Sequence, residues 1–433
     1  MQDTPKGSRL HISLFGRRNV GKSSLINALT NQEIALVSDV AGTTTDPVYK
    51  AMEILPLGPV MLIDTAGLDD EGALGELRAK KSLEVLEKTD VTLLVVDSTS
   101  GFGDYEKRIF LLSFEKNIPV VIVFTKKDLI DEEQRKQLLI SLKKQLLAIA
   151  HSLSSNSLDS GSPSILNIDN TPALFVSSTT KGGIPALKQH LCNVKPTERL
   201  PSAIVGDLLS PGDMMLLVVP IDEAAPKGRL ILPQVQTIRD ILDHDCLTVV
   251  CKESELKKAL AALKEPPKLV VTDSQAFREV AKDLPSDIPL TSFSILMARY
   301  KGDLLSLARG AKAIETLVPC DKILIAEACT HHQQSDDLGK IKIPHWLSQM
   351  VGGELKIDFS HGSDYPDNLD EYKLIVHCGG CMLNRKEMLH RISLTKKMNI
   401  PIVNYGVLIA AVHGILPRAL RPLGIDYETL LSF

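Results

Sequence analysis

The stretch HISLFGRRNVGKSSLINAL, residues 11–29, decides the fold at the start of this 433-residue chain. The segment from His11 to Phe15 reads as a short buried strand, and a helix is expected to start near Ser23. Between them, GRRNVGKS satisfies the P-loop pattern, in which backbone N–H groups wrap phosphates, Lys22 reaches the β- and γ-phosphates, and the Ser23 hydroxyl binds Mg²⁺. The loop and first helical turn therefore supply six candidate nucleotide-binding residues: Asn19, Val20, Gly21, Lys22, Ser23 and Ser24.

Three further segments each follow a predicted strand, and their order along the chain is that of the segments that form a guanine-nucleotide site. In Asp64-Thr65-Ala66-Gly67, Asp64 can hold Mg²⁺ through water while the Gly67 amide faces the γ-phosphate. In Thr125-Lys126-Lys127-Asp128, the carboxylate can accept hydrogen bonds from both N1–H and the exocyclic amine of guanine, which adenine does not offer. Ser177-Ser178-Thr179 stands where a backbone amide contacts the guanine O6. The set predicts GTP and GDP binding.

Length and composition narrow the class of protein. A chain of 433 residues exceeds one hydrophobic core, so two or three domains are expected. The net charge of −4 gives no electrostatic footprint for nucleic acid or an anionic membrane. The apolar runs are far shorter than the roughly 20 residues that span a bilayer, and the N-terminus lacks a signal-peptide pattern. We expect a cytoplasmic protein without nucleic-acid or membrane partners, whose seven cysteines are reduced.

Short β-branched runs alternate with helical patterns along the chain, which predicts an α/β fold with mainly parallel sheets. We expect a P-loop GTP-binding domain over 1–198, followed by two smaller α/β domains over 199–288 and 289–433. The polar stretch from Ser152 to Asn170 is expected to be a loop. The predicted strands are 11–15, 59–63, 91–96, 120–124, 173–176, 214–220, 247–251, 268–272, 322–326, 374–377 and 401–404.

Three cysteines in the last quarter form a candidate metal site. They lie in Cys329-Thr330-His331 and His377-Cys378-Gly379-Gly380-Cys381. Cys329 and Cys378 each follow a predicted strand, which places them at the carboxyl edge of a parallel sheet, where such folds bind ligands. The Cys-x-x-Cys spacing lets two thiolates meet one metal. Three thiolates with flanking histidines admit either zinc in a Cys₃His shell or a 4Fe-4S cluster with one iron not bound by cysteine.

A redox-active cysteine pair, a zinc site and a 4Fe-4S cluster differ in the pattern of cysteines that they require. A thioredoxin-type redox pair does not call for the upstream Cys-x-His, and closed zinc sites more often show Cys-x-x-Cys units on both sides. The pattern therefore favours the cluster. His331, His332 and His377 are candidates either for metal binding or for orienting the loop by hydrogen bonds. The remaining cysteines show no pairing spacing and are interpreted as packing residues: Cys192, Cys246, Cys251 and Cys320.

Residues 1 to about 198 resemble the small GTPases of the TrmE, Era and EngA type. Their switch I segment Gly-Thr-Thr-Arg-Asp corresponds here to GTTTD, residues 42–46, with Thr45 in place of the arginine. The resemblance implies that Thr44 senses Mg²⁺ and the γ-phosphate, and that it acts in catalysis with Lys22 and Gly67. Leu68 stands where Ras-like proteins keep a water-orienting glutamine, so slow hydrolysis is expected.

Asn19 has two interpretations. Potassium-activated members of the same group use this P-loop asparagine to coordinate K⁺, which makes Asn19 a candidate K⁺ ligand by resemblance. The alternative is a turn residue that tolerates an unusual backbone angle.

A GTPase of this type joined to a Cys-x-His…His-Cys-x-x-Cys segment resembles the FeFe-hydrogenase maturation GTPases of the HydF family, over nearly the whole chain. The stretch from Asp213 to Gln236 looks like the family's dimerisation domain. The resemblance implies a homodimer or higher oligomer with a 4Fe-4S cluster on Cys329, Cys378 and Cys381, and with His331 or His377 as the candidate fourth ligand.

The same resemblance implies a scaffold and carrier without redox catalysis at the cluster. Such a protein accepts a transient diiron subcluster from radical-SAM maturases and delivers it to apo FeFe-hydrogenase, with GTP hydrolysis as a switch. The alternative is a ribosome- or RNA-associated GTPase with a structural zinc domain, which the lack of a basic patch disfavours.

Overall fold

The structure is a computed structural model. It describes residues 4–30, 47–65, 81, 83–156, 171–194, 203–220, 230–328, 337–362, 366, 368–380 and 383–430. The chain forms two compact units, Met1–Arg199 and Leu200–Phe433.

The first unit is built around a six-stranded sheet with the order β2-β3-β1-β4-β5-β6. All neighbouring strands are parallel except β2 and β3, which are antiparallel. The strands are β1 (Leu10–Phe15), β2 (Val48–Ile54), β3 (Gly58–Asp64), β4 (Val91–Asp97), β5 (Val120–Thr125) and β6 (Ala173–Phe175). The predicted α/β fold with a mainly parallel sheet is confirmed for this unit.

The central strands of this sheet are apolar on both faces, because helices cover both sides. One core contains Leu25 and Leu29 against Leu93, and the opposite core contains Phe124 with Ile109. Four α-helices of this unit have both ends among the described residues: α1 (Lys22–Thr30), α2 (Asp104–Glu115), α3 (Glu132–Asn156) and α4 (Ile184–Asn193).

The second unit contains two four-stranded parallel sheets, with orders β10-β9-β7-β8 and β12-β11-β13-β14. The first consists of β7 (Met214–Val218), β8 (Leu247–Cys251), β9 (Leu269–Thr272) and β10 (Leu290–Ser292). The second consists of β11 (Lys322–Glu327), β12 (Lys356–His361), β13 (Leu374–His377) and β14 (Ile402–Asn404).

One apolar core joins the two sheets of the second unit, with Val270 from one sheet and Ile325 from the other. Side-chain caps start four of its helices, where Ser292, Asp303, Asn384 and Asn404 accept hydrogen bonds from backbone N–H groups of the first turn. The helices are α5 (Leu232–Asp243), α6 (Leu256–Ala262), α7 (Phe277–Asp283), α8 (Phe293–Lys301), α9 (Leu304–Ala311), α10 (Ile343–Val351), α11 (Arg385–Lys397), α12 (Tyr405–Val412) and α13 (Leu416–Leu420).

The predicted boundary at residues 288 and 289 differs from the sheet topology. Strand β10 begins at Leu290 and pairs with β9, so the middle sheet extends past this boundary. The three residues of β10 were not predicted as a strand. Strands β2 and β12 were also not predicted.

Within the described part of the chain, no helix is both long enough and apolar enough to cross a membrane.

Candidate functional site

The P-loop connects the end of β1 at Phe15 to the start of α1 at Lys22. A Cβ atom on Gly16 would lie 2.4 Å from the Val95 carbonyl oxygen, so no other residue fits without moving β4. Asn19 and Gly21 adopt left-handed backbone angles, with φ of 58° and 94°. Such turns at a helix N-terminus form anion-binding concavities, as the motif predicts.

The Lys22 side chain is buried and folds back over its own loop. Its Nζ donates hydrogen bonds to the carbonyl oxygens of Gly16 and Arg17, both at 2.7 Å. The ammonium group is therefore held at the loop where the phosphates of a nucleotide would bind.

Asp64 ends β3 and lies beside Leu14 of β1, which brings it to the P-loop helix. Ser23 Oγ donates a hydrogen bond to Asp64 Oδ2 at 2.9 Å. The other carboxylate oxygen, Oδ1, is buried and has no hydrogen-bond partner among the residues that the structure describes. A hydroxyl beside an unsatisfied carboxylate oxygen suits a hard cation, so Ser23 and Asp64 fit Mg²⁺.

Burial and the neighbouring polar groups have opposite effects on the pKa of Asp64. Burial raises the pKa of its carboxyl group, whereas the ammonium of Lys22, the hydrogen bond from Ser23 and the ammonium of Lys50 lower it. The net shift of the Asp64 pKa is upward, because burial is the largest of these effects.

The base-reading side of the site begins at the end of β5. The Thr125 hydroxyl lies 2.6 Å from the Val20 carbonyl oxygen, which ties this strand end to the P-loop. Lys126 adopts a left-handed φ of 56°, and its Nζ lies 2.6 Å from Asp97 Oδ2 at the end of β4. Asp128 is exposed, and a hydrogen bond from the Ser177 side chain lowers the pKa of its carboxyl group. This carboxylate is thus kept in the ionised form that accepts two hydrogen bonds from guanine.

The loop after β6 carries Ser177 and Ser178. Ser177 N–H donates to the Gly182 carbonyl oxygen at 2.9 Å, and its Oγ accepts from Thr180 N–H at 3.1 Å. The hydrogen bond between the side chains of Ser177 and Asp128 brings this loop to the base-reading turn.

Two polar contacts of the nucleotide site were not predicted from the sequence. Asp97 holds Lys126, and Arg17 Nη2 donates to Glu106 Oε2 at 2.8 Å. Glu106 is 1% exposed and also accepts from Gly103 N–H at 2.9 Å. Asp97 could have been found from the sequence, because it directly follows the predicted strand 91–96 at the ligand-binding edge of the sheet. Nothing in the sequence pairs Arg17 with a residue in α2.

Part of the predicted site lies outside the described residues. The roles predicted for the switch residues and for part of the cysteine motif therefore stay predictions: Thr44, Gly67, Leu68, Cys329, His331, His332 and Cys381.

Cys378 lies just beyond β13, at the carboxyl edge of its sheet. Its Sγ accepts a hydrogen bond from Ala328 N–H at 3.1 Å, and Ala328 directly precedes Cys329 in the sequence. The contact arises because β11 and β13 are parallel neighbours. Gly380 has a φ of 60°, a left-handed turn between the two cysteines of the Cys-x-x-Cys segment.

His377 is fully buried and both of its ring nitrogens have partners. Arg391 Nη1 lies 2.9 Å from Nε2, and an arginine can only donate, so Nε2 accepts. Nδ1 therefore carries the proton and donates to the Cys378 carbonyl oxygen at 2.7 Å. Burial, followed by the Arg391 charge, lowers the pKa of His377 to about 4. In this arrangement the imidazole orients the cysteine loop, which is one of the two roles expected for it.

Further polar side chains lie at the same sheet edge. Tyr405 Oη donates to Glu327 Oε1 at 3.1 Å, and His361 Nδ1 lies 3.3 Å from Glu327 Oε2. Burial and the neighbouring Glu327 and Cys378 groups raise the pKa of Tyr405. Within the described ranges, no three His, Cys, Asp or Glu side chains come together as a metal site, and Cys378 is the described member of the cysteine motif.

The cysteines interpreted as packing residues differ in burial. Cys246 is buried, and Cys192 and Cys251 are partly buried. Cys320 is exposed at a left-handed turn with a φ of 72°, so its interpretation as a packing residue is wrong.

Three family models match the chain. Residues 11–126 match the 50S ribosome-binding GTPase model, residues 204–302 match the hydrogen maturase F dimerization domain, and residues 305–422 match the hydrogen maturase F tetramerization domain. The chain belongs to the hydrogen maturase F family. The tetramerization model spans the three cysteines of the candidate cluster site, and the dimerization model spans the predicted dimerisation stretch.

Curated relatives match the GTPase part of this hydrogen maturase F chain. GTPase Der from Kosmotoga olearia is 30% identical over 208 residues, which is 46% of this chain and 42% of the relative. The tRNA modification GTPase MnmE from Desulforamulus reducens is 31% identical over 214 residues, which is 46% of this chain and 44% of the relative. The chain thus spans less than half the length of these relatives.

Among solved structures, Aquifex aeolicus Era bound to GDP and AlF₄⁻ is similar, with 17% identity and a TM-score of 0.36. The match covers 59% of this chain and 98% of Era.

Proposed function

We propose that this hydrogen maturase F chain is a GTP-hydrolysing scaffold that carries an iron-sulfur precursor. It binds a 4Fe-4S cluster through Cys329, Cys378 and Cys381, accepts a diiron subcluster from radical-SAM maturases, and delivers it to apo FeFe-hydrogenase. The observation that carries this proposal is the hydrogen bond from Ala328 N–H to Cys378 Sγ. It places the Cys378 thiol against the residue that directly precedes Cys329 in the sequence, at one sheet edge, in a chain that also has a GTPase domain.

The nucleotide site supports GTP hydrolysis by positioning and charge. Lys22 supplies a buried cation for the phosphates, and Ser23 with Asp64 offers the donors for Mg²⁺. Asp128 selects guanine. Thr44 and the Gly67 amide complete the site as γ-phosphate sensors, and Leu68 keeps hydrolysis slow because it cannot orient water.

Asn19 is proposed as a K⁺ ligand beside the phosphates. Its left-handed backbone angle also accounts for an asparagine at this position, so the angle alone does not decide between the two roles.

The cysteine site supports a carrier role. Three thiolates leave one iron of a 4Fe-4S cluster without a cysteine, so a precursor can bind and leave without breaking a thiolate bond. His377 orients the Cys378 loop, which leaves His331 as the histidine candidate for the fourth position. The family's dimerization and tetramerization domains support a homodimer or higher oligomer as the working form.

Two variants test whether both functions reside in the same chain. Lys22→Ala should weaken GTP binding by about 100-fold, because a buried cation that contacts phosphate is lost, and should keep its iron. Cys378→Ala should lose iron and sulfide after anaerobic reconstitution and keep GTP turnover. Cys320→Ala is the matched control, since it removes an exposed cysteine outside the motif.

The measurements are nucleotide titration, GTP turnover and iron content on the same preparations. Retention of a full complement of iron by Cys378→Ala would contradict the cluster assignment. Unchanged GTP affinity in Lys22→Ala would contradict the assignment of the nucleotide site.

A further inference from the structure

Strand β2 places a lysine beside the magnesium edge of the nucleotide site. Its antiparallel register with β3 pairs Val48 with Asp64 and Lys50 with Leu62. Directly opposite residues in such a pair share a face, and diagonal neighbours lie about 7–8 Å apart, within reach of a long side chain. Lys50 and Asp64 are diagonal neighbours of this kind.

The same face of the sheet packs against α1. Met52 and Ile54, which follow Lys50 at alternate positions of β2, belong to the apolar core with Leu25. Lys50 lies at the polar end of this row and is partly buried. It therefore lies on the same face of the sheet as Asp64, which Ser23 contacts.

The charges of Lys50 and Asp64 influence each other. Burial lowers the pKa of Lys50, and the Asp64 carboxylate acts in the opposite direction. The Lys50 ammonium in turn stabilises the ionised form of Asp64. Lys50 is thus an electrostatic neighbour of the carboxylate that fits Mg²⁺.

Lys50 differs from the other cation near Asp64. Lys22 belongs to the P-loop, where its charge is compensated by the β- and γ-phosphates once a nucleotide binds. Lys50 comes from an edge strand, so its charge continues to act on Asp64 in the nucleotide-bound protein. A cation beside a carboxylate offsets the negative charge that attracts Mg²⁺.

We propose that Lys50 is a positioning residue of the GTPase cycle, which weakens Mg²⁺ binding at Asp64 and thereby speeds the release of Mg²⁺ and GDP. The inference concerns the nucleotide site alone. Its failure would leave the cluster proposal intact, because the cluster is measured by iron content and not by nucleotide release.

The test is the dissociation rate of a fluorescent methylanthraniloyl-GDP from the full-length protein over a range of buffered free Mg²⁺. Lys50→Met keeps the length of the side chain and removes its charge. The Mg²⁺ concentration that half-maximally slows release should fall by about three- to tenfold in this variant. In excess EDTA its release rate should equal that of the wild type, since no Mg²⁺ is then present.

Two further variants separate charge from structure. Lys50→Arg keeps the positive charge and should retain the wild-type Mg²⁺ dependence. Lys136→Met makes the same chemical change at an exposed position of α3 and should change nothing. An unchanged or higher Mg²⁺ midpoint in Lys50→Met would overturn the proposal. So would an equal change of the release rate with and without Mg²⁺, because that would show an effect on the nucleotide or the fold.

Discussion

At the scale of single residues, the nucleotide site depends on side chains whose backbone conformation is unusual. Asn19 and Lys126 both have positive φ, yet one lies in the P-loop and the other in the base-reading turn. Asn19 tolerates this angle well because its short amide can bond locally. The Lys126 side chain cannot bond to its own backbone in this way. Its ammonium group instead forms an ion pair with Asp97, which holds the residue in place.

The first prediction concerns K⁺. GTP turnover should be faster in potassium buffer than in sodium buffer, because the side-chain oxygen of Asn19 is the proposed K⁺ ligand. Asn19→Gly should remove the difference, since glycine keeps the left-handed backbone angle and lacks the oxygen. The measurement is steady-state phosphate release in the two salts at equal ionic strength. Equal rates in both salts for the wild type would rule out the K⁺ role.

The sequence indicates candidate nucleotide-binding segments at Gly16, Asp64 and Thr125, because each lies at the end of an apolar strand. The residues that contact the side chains at these sites could not be predicted. Glu106 of the Arg17 pair and Arg391 of the His377 pair are distant in sequence from the residues that they contact. Such pairs follow from the packing of elements, which local patterns do not encode.

At the scale of elements, the buried parallel strands were predicted from the sequence, whereas the edge strands β2, β10 and β12 were not. Strands such as β4 and β13 are continuous apolar runs, which the sequence displays directly. Strands β2 and β12 lie at the edges of their sheets and are interrupted by polar residues, namely Lys50 and Glu53 in β2 and Lys356, Asp358 and Ser360 in β12. Their residues resemble those of exposed loops, so only pairing with a neighbour identifies them as strands.

Helix α2 is joined to the P-loop by an ion pair between the partly exposed Arg17 and the buried Glu106. Glu106→Ala should lower the free energy of unfolding by about 2–3 kcal/mol, because Arg17 and Gly103 N–H both lose their partner. It should also weaken GTP binding, since the Arg17 carbonyl holds Lys22. Urea unfolding and nucleotide titration measure the two effects, and Glu133→Ala on exposed α3 is the control. A variant as stable as the control would show that the ion pair contributes little.

Arg391 on α11 joins the ends of β12 and β13. Its guanidinium contacts the Gly362 carbonyl oxygen at 2.7 Å and His377 Nε2 at 2.9 Å. Arg391→Lys cannot reach both, so the Cys378 loop should be held less firmly. We expect iron loss to a chelator to become about tenfold faster, while the protein stays folded.

This effect is measured by chelator-driven bleaching of the reconstituted protein, with circular dichroism as the check on folding. Arg309→Lys, at an exposed position of α9 in the same unit, should behave as the wild type. The same bleaching rate in Arg391→Lys as in that control would contradict a positioning role for Arg391.

At the scale of the whole molecule, the chain combines two units with separate apolar cores. Thermal unfolding should therefore show two transitions. Mg²⁺ and GDP at 100 times the dissociation constant should stabilise only the transition of the GTPase unit, by about 2.7 kcal/mol. Differential scanning calorimetry with and without the nucleotide measures this difference. A nucleotide-induced shift of both transitions would show that the units unfold together.

The proposed function depends on what the cysteine motif binds. Anaerobic reconstitution with iron and sulfide, followed by reduction and electron paramagnetic resonance, tests this directly. We expect about four iron atoms per chain and the signal of a reduced 4Fe-4S cluster, which Cys378→Ala abolishes. One zinc ion per chain and no such signal would contradict the proposed function.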